Sequence, residues 1–173
     1  MAISYRQAQL EDVYLIVNLI NFSYRGDGSK SGWTTEADLL EGVRTTPEEI
    51  TSFIQNPQQN LLLLSFEEDQ LIGCILAEKR NLKVRFGMFV THPTLQGKGL
   101  GKQLLKYAEE QVKEQWHITD FEMIVISCRK ELLEYYERRG YFFKGKTLPF
   151  PLRPHLWKLK VNHLDLKVIE KSL

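Results

Sequence analysis

The stretch Val90-Thr-His-Pro-Thr-Leu-Gln96-Gly97-Lys98-Gly99-Leu100-Gly101-Lys102 holds the residue types in this chain best suited to chemistry. Glycine accepts positive φ and lets a ligand come close to the backbone. Apolar periodicity behind the loop predicts a helix from Gly101 to about Trp116, so unpaired N–H groups and a partial positive charge aim into the loop. Glycines ahead of a helix N-terminus make an anion site, and a diphosphate suits it. Spacing excludes two familiar phosphate loops. Gly101-Lys102 is followed by Gln103 rather than Ser or Thr, and Gln96 stands where a Walker A loop needs its first glycine. A Rossmann loop starting at Gly97 needs glycine where Lys102 stands, and it opens its fold, whereas this loop lies past mid-chain.

The pattern that does fit is Q-x-x-G-x-G, carried by Gln96, Gly99 and Gly101. In it the chain resembles the GNAT superfamily of N-acetyltransferases, whose coenzyme A loop reads Gln or Arg, x-x-G-x, then Gly or Ala, between the fourth strand and the third helix. A second element, Leu132-Leu133-Glu134-Tyr135-Tyr136-Glu137-Arg138-Arg139-Gly140-Tyr141, resembles the late helix of that family, often written Y-E-K-L-G-F, with Tyr136 as its tyrosine. Order and distance agree, and the resemblance covers essentially the whole chain. It implies an α/β (α+β) fold: a mixed, mostly antiparallel twisted sheet flanked by helices, with the fourth and fifth strands splayed. It also implies acetyl-CoA as cofactor and transfer of its acetyl group from the thioester to a primary amine.

Site roles follow from the same resemblance. The loop residues Gln96, Gly97, Lys98, Gly99, Gly101 and Lys102 would hold the diphosphate, with backbone N–H groups and with the lysines as point charges. Phe89 and Val90, ending the fourth strand, would offer backbone contacts to the pantetheine and the thioester oxygen, where a fixed donor stabilises developing charge. Tyr136 would be the general acid toward the sulfur, because a phenol of pKa about 10 stays protonated beside a thiol of about 8.5. Arg129 occupies the place of an asparagine found in many members, and would bind a cofactor phosphate or pantetheine carbonyl. The base is the departure. Histone-acetylating members carry a catalytic glutamate on the fourth strand where this chain has Arg85, and no acid lies between Lys83 and Val90. Glu122, His92 and Glu36 are the alternatives. Cys128, near a predicted helix start, leaves a covalent acetyl-cysteine route open, while Cys74 reads as core.

These residues need a scaffold, and the rest of the chain predicts one. Strands are expected at Ile3 to Arg6, Asn60 to Phe66, Leu71 to Lys79, Lys83 to Val90, Phe121 to Ser127, Tyr141 to Lys144 and His163 to Glu170. Helices are expected from about Asp12 to Tyr24, from the Thr46-Pro47-Glu48-Glu49 capping box to about Asn56, and from about Lys130 to Arg139. The central helix should bury Leu100, Leu104, Leu105, Ala108 and Val112. Residues 25–45 read as a polar loop, and a proline-rich loop should carry Pro149, Pro151 and Pro154.

With 173 residues and a formal net charge of +1, the chain suits one acetyltransferase domain and disfavours a nucleic-acid module. No membrane-spanning run occurs and the opening residues lack a signal-peptide core, so a cytoplasmic protein away from membranes is expected. His92, His117, His155 and His163 show no ligand spacing, and no metal site is expected. Acceptor specificity should come from residues 25–45 and the proline-rich loop. Trp33 could wall the pocket, and Glu36, Asp38 or Glu41 could attract an ammonium group. A small-molecule amine and a peptide amine both remain open, as do a homodimer and a non-catalytic acyl-CoA sensor.

Overall fold

The computed structural model describes residues 2–25, 29, 30, 32 and 35–173. In chain order the elements are β1 (Ile3–Gln7), α1 (Val13–Tyr24), β2 (Leu40–Gly42), α2 (Pro47–Ile54), β3 (Asn60–Glu67), β4 (Gln70–Arg80), β5 (Lys83–Thr91), α3 (Leu100–Trp116), β6 (Asp120–Ile126), α4 (Lys130–Glu137), β7 (Phe142–Pro149), β8 (Trp157–Leu159) and β9 (Asp165–Ser172). A seven-stranded sheet runs β1-β3-β4-β5-β6-β9-β7, and β2 with β8 forms a separate two-stranded ribbon. Every neighbouring pair in the large sheet is antiparallel except β5 with β6. This is the mixed, mostly antiparallel sheet that the resemblance implies. Among the described residues no helix is long and apolar enough to cross a membrane.

Helices cover both faces, which explains why β3 and β4 are apolar at consecutive positions rather than alternating. Leu61, Leu63, Ile75 and Ala77 pack on one face against Leu104, Leu105, Ala108 and Val112 of α3 and Tyr136 of α4. Leu62, Leu64, Cys74 and Leu76 pack on the other against Val13, Ile16, Val17 and Ile20 of α1 and Ile50 of α2. The predicted cap of α2 is present: the Thr46 hydroxyl accepts from Glu49 N at 3.2 Å, with Pro47 opening the helix.

Between β5 and β6 the sheet comes apart. They pair in parallel at Val84, Arg85 and Phe86 only, although β5 continues to Thr91 and β6 to Ile126. On the other side of β5 the register with β4 jumps from Leu76↔Gly87 to Cys74↔Val90, so Met88 and Phe89 together face Ile75. Met88 has φ of 46°. The extra residue is a β-bulge, which bends its strand and raises the local twist. Past the bulge β5 leans away from β6, as the splay required.

Three details differ from the sequence reading. Leu100 lines a cavity instead of joining the core, because it sits in the first helical turn beside the loop. The strand expected to stop at Lys144 runs to Pro149 with a register shift around Gly145, whose φ is 101°. As the edge strand, β7 tolerates a proline that offers no N–H. Part of the predicted 25–45 loop forms β2, held by β8 through Leu40↔Leu159 and Gly42↔Trp157.

A polar knot ties α3 to β9 and the start of β7. Tyr141 Oη donates to Glu109 Oε1 at 2.8 Å, and Lys171 Nζ lies 3.0 Å from each Glu109 oxygen. Glu109→Ala leaves the buried Tyr141 hydroxyl and the partly exposed Lys171 ammonium without their acceptor and should cost about 3 kcal/mol in urea unfolding, against about 1 kcal/mol for Tyr141→Phe. Equal small losses would contradict the knot. At the other end Arg6 forks onto Asp12 at 2.7 and 2.8 Å, holding that carboxyl below its usual range. Its contribution is complete above the unfolded value, about pH 4, and is lost as pH falls through the lowered folded value. Asp12→Asn should therefore flatten the acid limb of the stability profile, as measured by thermal unfolding between pH 2 and pH 6 (about that window).

Candidate active site

The splay creates two cavities that meet. One, of about 320 Å³, lies on the α3 side and is lined by Thr91, Gln96, Gly97, Gly99, Gly101 and Tyr135 among others. The second, of about 360 Å³, includes Tyr24, Glu36, Arg44, Arg85, Arg129 and Trp157 in its wall. Phe89, Leu132 and Tyr136 belong to both, so the cavities touch where the bulge faces α4.

The glycine loop is built to stay open. After β5, His92 Nδ1 lies 2.8 Å from Thr94 Oγ1 and starts a tight turn over Pro93–Leu95. Gln96 Nε2 donates to Thr91 O at 3.1 Å and folds the loop back on the strand. Gly97 and Gly99 have φ of 85° and 79°, and no atom lies within 4 Å of where their Cβ would stand. Gly101 differs: a Cβ there would meet Tyr135 Oη at 3.0 Å and Thr91 Oγ1 at 3.4 Å, so the missing side chain is cavity space. The first intrahelical bond of α3 is Gln103 N to Gly99 O, which leaves the N–H groups of Leu100, Gly101 and Lys102 unpaired within the helix at the positive end of its dipole. Arg138 and Arg139 add positive charge to the wall. Unpaired N–H groups, a helix dipole and arginines in an open slot fit a diphosphate. Lys98 and Lys102 are exposed and lie outside the cavity wall, where they act on an anion only as charges at its mouth.

On β5, His92 N donates to Ile72 O, so strand alternation turns Val90 toward β4 and Phe89 and Thr91 toward the gap. Val90 pairs with Cys74, its side chain is buried, and it lines neither cavity. Phe89 is the residue whose backbone faces the splay. Its carbonyl accepts from Tyr24 Oη at 2.9 Å, a contact that pins the bulge.

Tyr136 sits at the junction, only 7% exposed, with its ring 6.2 Å from that of Phe89 and 5.3 Å, edge-on, from that of Tyr135. Burial, then the neighbouring Tyr24 and Tyr135, pushes its phenol well above the ordinary value. Its hydroxyl has no hydrogen-bond partner among the described residues. A protonated, uncommitted donor therefore stands between the cavities. Tyr135 lines only the loop cavity and carries the Arg139 guanidinium over its ring at 3.7 Å.

The acids and the remaining basic candidate are distributed differently from the sequence reading. Glu122 does not line the second cavity: it is buried, and its Oε2 accepts from Arg85 Nη2 at 3.2 Å. Register explains this, since Glu122 lies beside Arg85 across the parallel pair. His92 is taken up by its turn and packs on Phe22, away from both cavities. Glu36 does line the second cavity. Its Oε1 accepts from Arg25 Nη2 at 2.9 Å and Nε at 3.2 Å, while Oε2 has no partner among the described residues. Arg129 faces the second cavity and not the glycine loop, because it precedes α4 at the open end of β6. Trp33 lies outside the described residues. Cys128 is exposed and lines neither cavity, and Cys74 is buried with its thiol pushed up to about 12.

Sequence reasoning missed Tyr24, Arg44, Arg153 and Trp157. Tyr24 ends α1 with no local signal, and the others come together only through the ribbon β2–β8 and the turn before it.

Comparison with known proteins agrees with the fold. The family model described as an acetyltransferase (GNAT) domain matches residues 36–149. No curated protein matches the chain. Among solved structures it is similar in fold to the PaiA N-acetyltransferase of Thermoplasma acidophilum in complex with coenzyme A, at TM-score 0.70 and 20% identity over 100% of both chains. It is similar to the spermidine/spermine N-acetyltransferase SpeG of Vibrio cholerae, in mutant forms, at TM-score 0.68 and 15% identity over 99% of this chain and 95% of that one. The ribosomal-protein-S18-alanine N-acetyltransferase of Escherichia coli matches at TM-score 0.71 and 9% identity over 99% of this chain and 94% of that one. The glycine loop, the splayed strands and the family match lead to one conclusion: the chain belongs to the GNAT acetyltransferases, enzymes that use acetyl-CoA.

Proposed function

We propose that the protein moves an acetyl group directly from acetyl-CoA to the primary amine of a small molecule. One observation carries this reading: the anion-binding loop cavity and a second, differently lined cavity meet at Phe89 and Tyr136. When bound, acetyl-CoA supplies the activated thioester. The loop N–H groups from Gly97 to Lys102 hold its diphosphate. The Phe89 N–H faces the gap, fixed by the bulge, and donates where negative charge gathers on a carbonyl oxygen. Tyr136 gives its proton to a leaving thiolate, and its raised pKa keeps that proton in place throughout the neutral range. Glu36, with one carboxylate oxygen anchored by Arg25, offers the other to an incoming ammonium and takes its proton directly or through water. Glu122 holds Arg85 in position and takes no part in proton transfer. Phe150 and Trp157, ring centroids 6.2 Å apart, close one side of the second cavity and leave a space suited to a small amine.

Tyr136→Phe should lower kcat by about 100-fold or more while CoA affinity stays within about threefold. A sensor would keep its behaviour in that variant, so unchanged turnover contradicts the catalytic role. Because Tyr136 stays protonated, it should contribute no alkaline limb to the rate profile below about pH 10. Gly99→Glu places a carboxylate at the anion site on a left-handed residue, and calorimetry should show an affinity loss of about 100-fold or more for acetyl-CoA. Failure of the unsubstituted protein to bind acetyl-CoA would overturn the reading outright.

A further inference from the structure

The second cavity is cationic. Five arginines reach its wall against two glutamates, Glu36 and Glu78. Most of these guanidinium groups are already paired. Arg25 is held by Glu36, and Arg153 lies 3.2 Å from Glu49. Two are not fully used. Arg44 forms no ion pair among the described residues and rests with its Cζ 5.8 Å from the Tyr24 ring centroid, close to the bulge. Arg85 gives one nitrogen to Glu122, and its buried Nε has no hydrogen-bond partner. Glu122 thus orients the guanidinium without filling its fork, which matches a carboxylate or phosphate with two parallel donors. The route from the bulge to Arg85 passes Gly87, where nothing lies within 4 Å of the missing Cβ.

We propose that the acceptor is amphoteric: a primary amine that also carries an anionic group, carboxylate or phosphate, seated on Arg85 and Arg44. The amine end then lies at Glu36 and Tyr136, and the anion end lies across the open lane beside Gly87. A polyamine would set its second ammonium against the same arginines, which the cavity disfavours electrostatically. This assignment rests on the acetyl-transfer reading above and adds the acceptor class to it.

The test measures thiol release from acetyl-CoA with matched amines: each common amino acid against its carboxamide, phosphoethanolamine against ethanolamine, and spermidine as a polycation. An anion-bearing amine should exceed its neutral counterpart in kcat/KM by about 100-fold, and the carboxylate and phosphate pairs tell which anion is read. Arg44→Gln and Arg85→Gln should each cut that preference about tenfold or more. CoA affinity by calorimetry, expected unchanged, reports whether each variant is folded. Arg44→Gln leaves no buried partner unpaired, so it stands as the test even where Arg85→Gln fails to fold. Equal or better turnover of neutral or polycationic amines overturns the proposal while leaving acetyl transfer intact. CoA binding without acetylation of any anion-bearing amine overturns it too. Absence of CoA binding by the unsubstituted protein instead strikes the acetyl-transfer reading beneath it.

Discussion

Everything at this site depends on one extra residue in one strand. The bulge at Met88 and Phe89 ends the pairing of β5 with β6 after Phe86 and opens the sheet where a continuous ladder would have sealed it. The left-handed Met88 backbone is strained for a residue with a side chain, and such strain persists only where the surroundings over-determine it. Here they do. Tyr24 Oη fixes the Phe89 carbonyl, the Cys74 thiol lies 3.4 Å from the Met88 carbonyl, and the pairing of β4 with β5 resumes at Val90. The gap is therefore part of the folded framework, present before any ligand arrives.

The two sides of the gap are built on different electrostatic plans. On the α3 side, positive potential comes largely from backbone: N–H groups that the first turn cannot satisfy, in a loop whose glycines admit close approach. On the α1 side it comes from side chains, arginines steered by carboxylates that each neutralise part of a guanidinium. Tyr136 stands where the two plans meet, in apolar surroundings that keep its phenol neutral. A thioester reaching through the gap from one side and an amine entering from the other would converge on the same two residues.

Much of the framework was legible in the sequence because local chemistry wrote it there. Apolar runs in β3 and β4, the Thr46 cap and the α3 period all reflect forces acting within a few residues. The glycine loop was equally legible, since positive φ and close approach restrict residue type at Gly97, Gly99 and Gly101. The acceptor cavity was not. Tyr24, Arg44, Arg85 and Trp157 come from four separate elements or turns, and only the ribbon β2–β8 and the bulge bring them together. Glu122 shows the limit most clearly. Its residue type fitted a base, but the register of a parallel pair that sequence cannot fix placed it against Arg85. Arg85 itself was visible as a departure from the glutamate of related enzymes, although not as a group shaping the cavity.

In the mechanism proposed above, acetyl-CoA enters the splay with its diphosphate on the glycine loop and its thioester arm against Phe89. Amide hydrogen exchange, resolved to single residues with and without acetyl-CoA, tests this most directly. Slowed exchange is expected at Phe89 and at Gly97 to Lys102, with little change along β3 and β1. Protection confined to other segments, or none in the gap at saturating ligand, would contradict it.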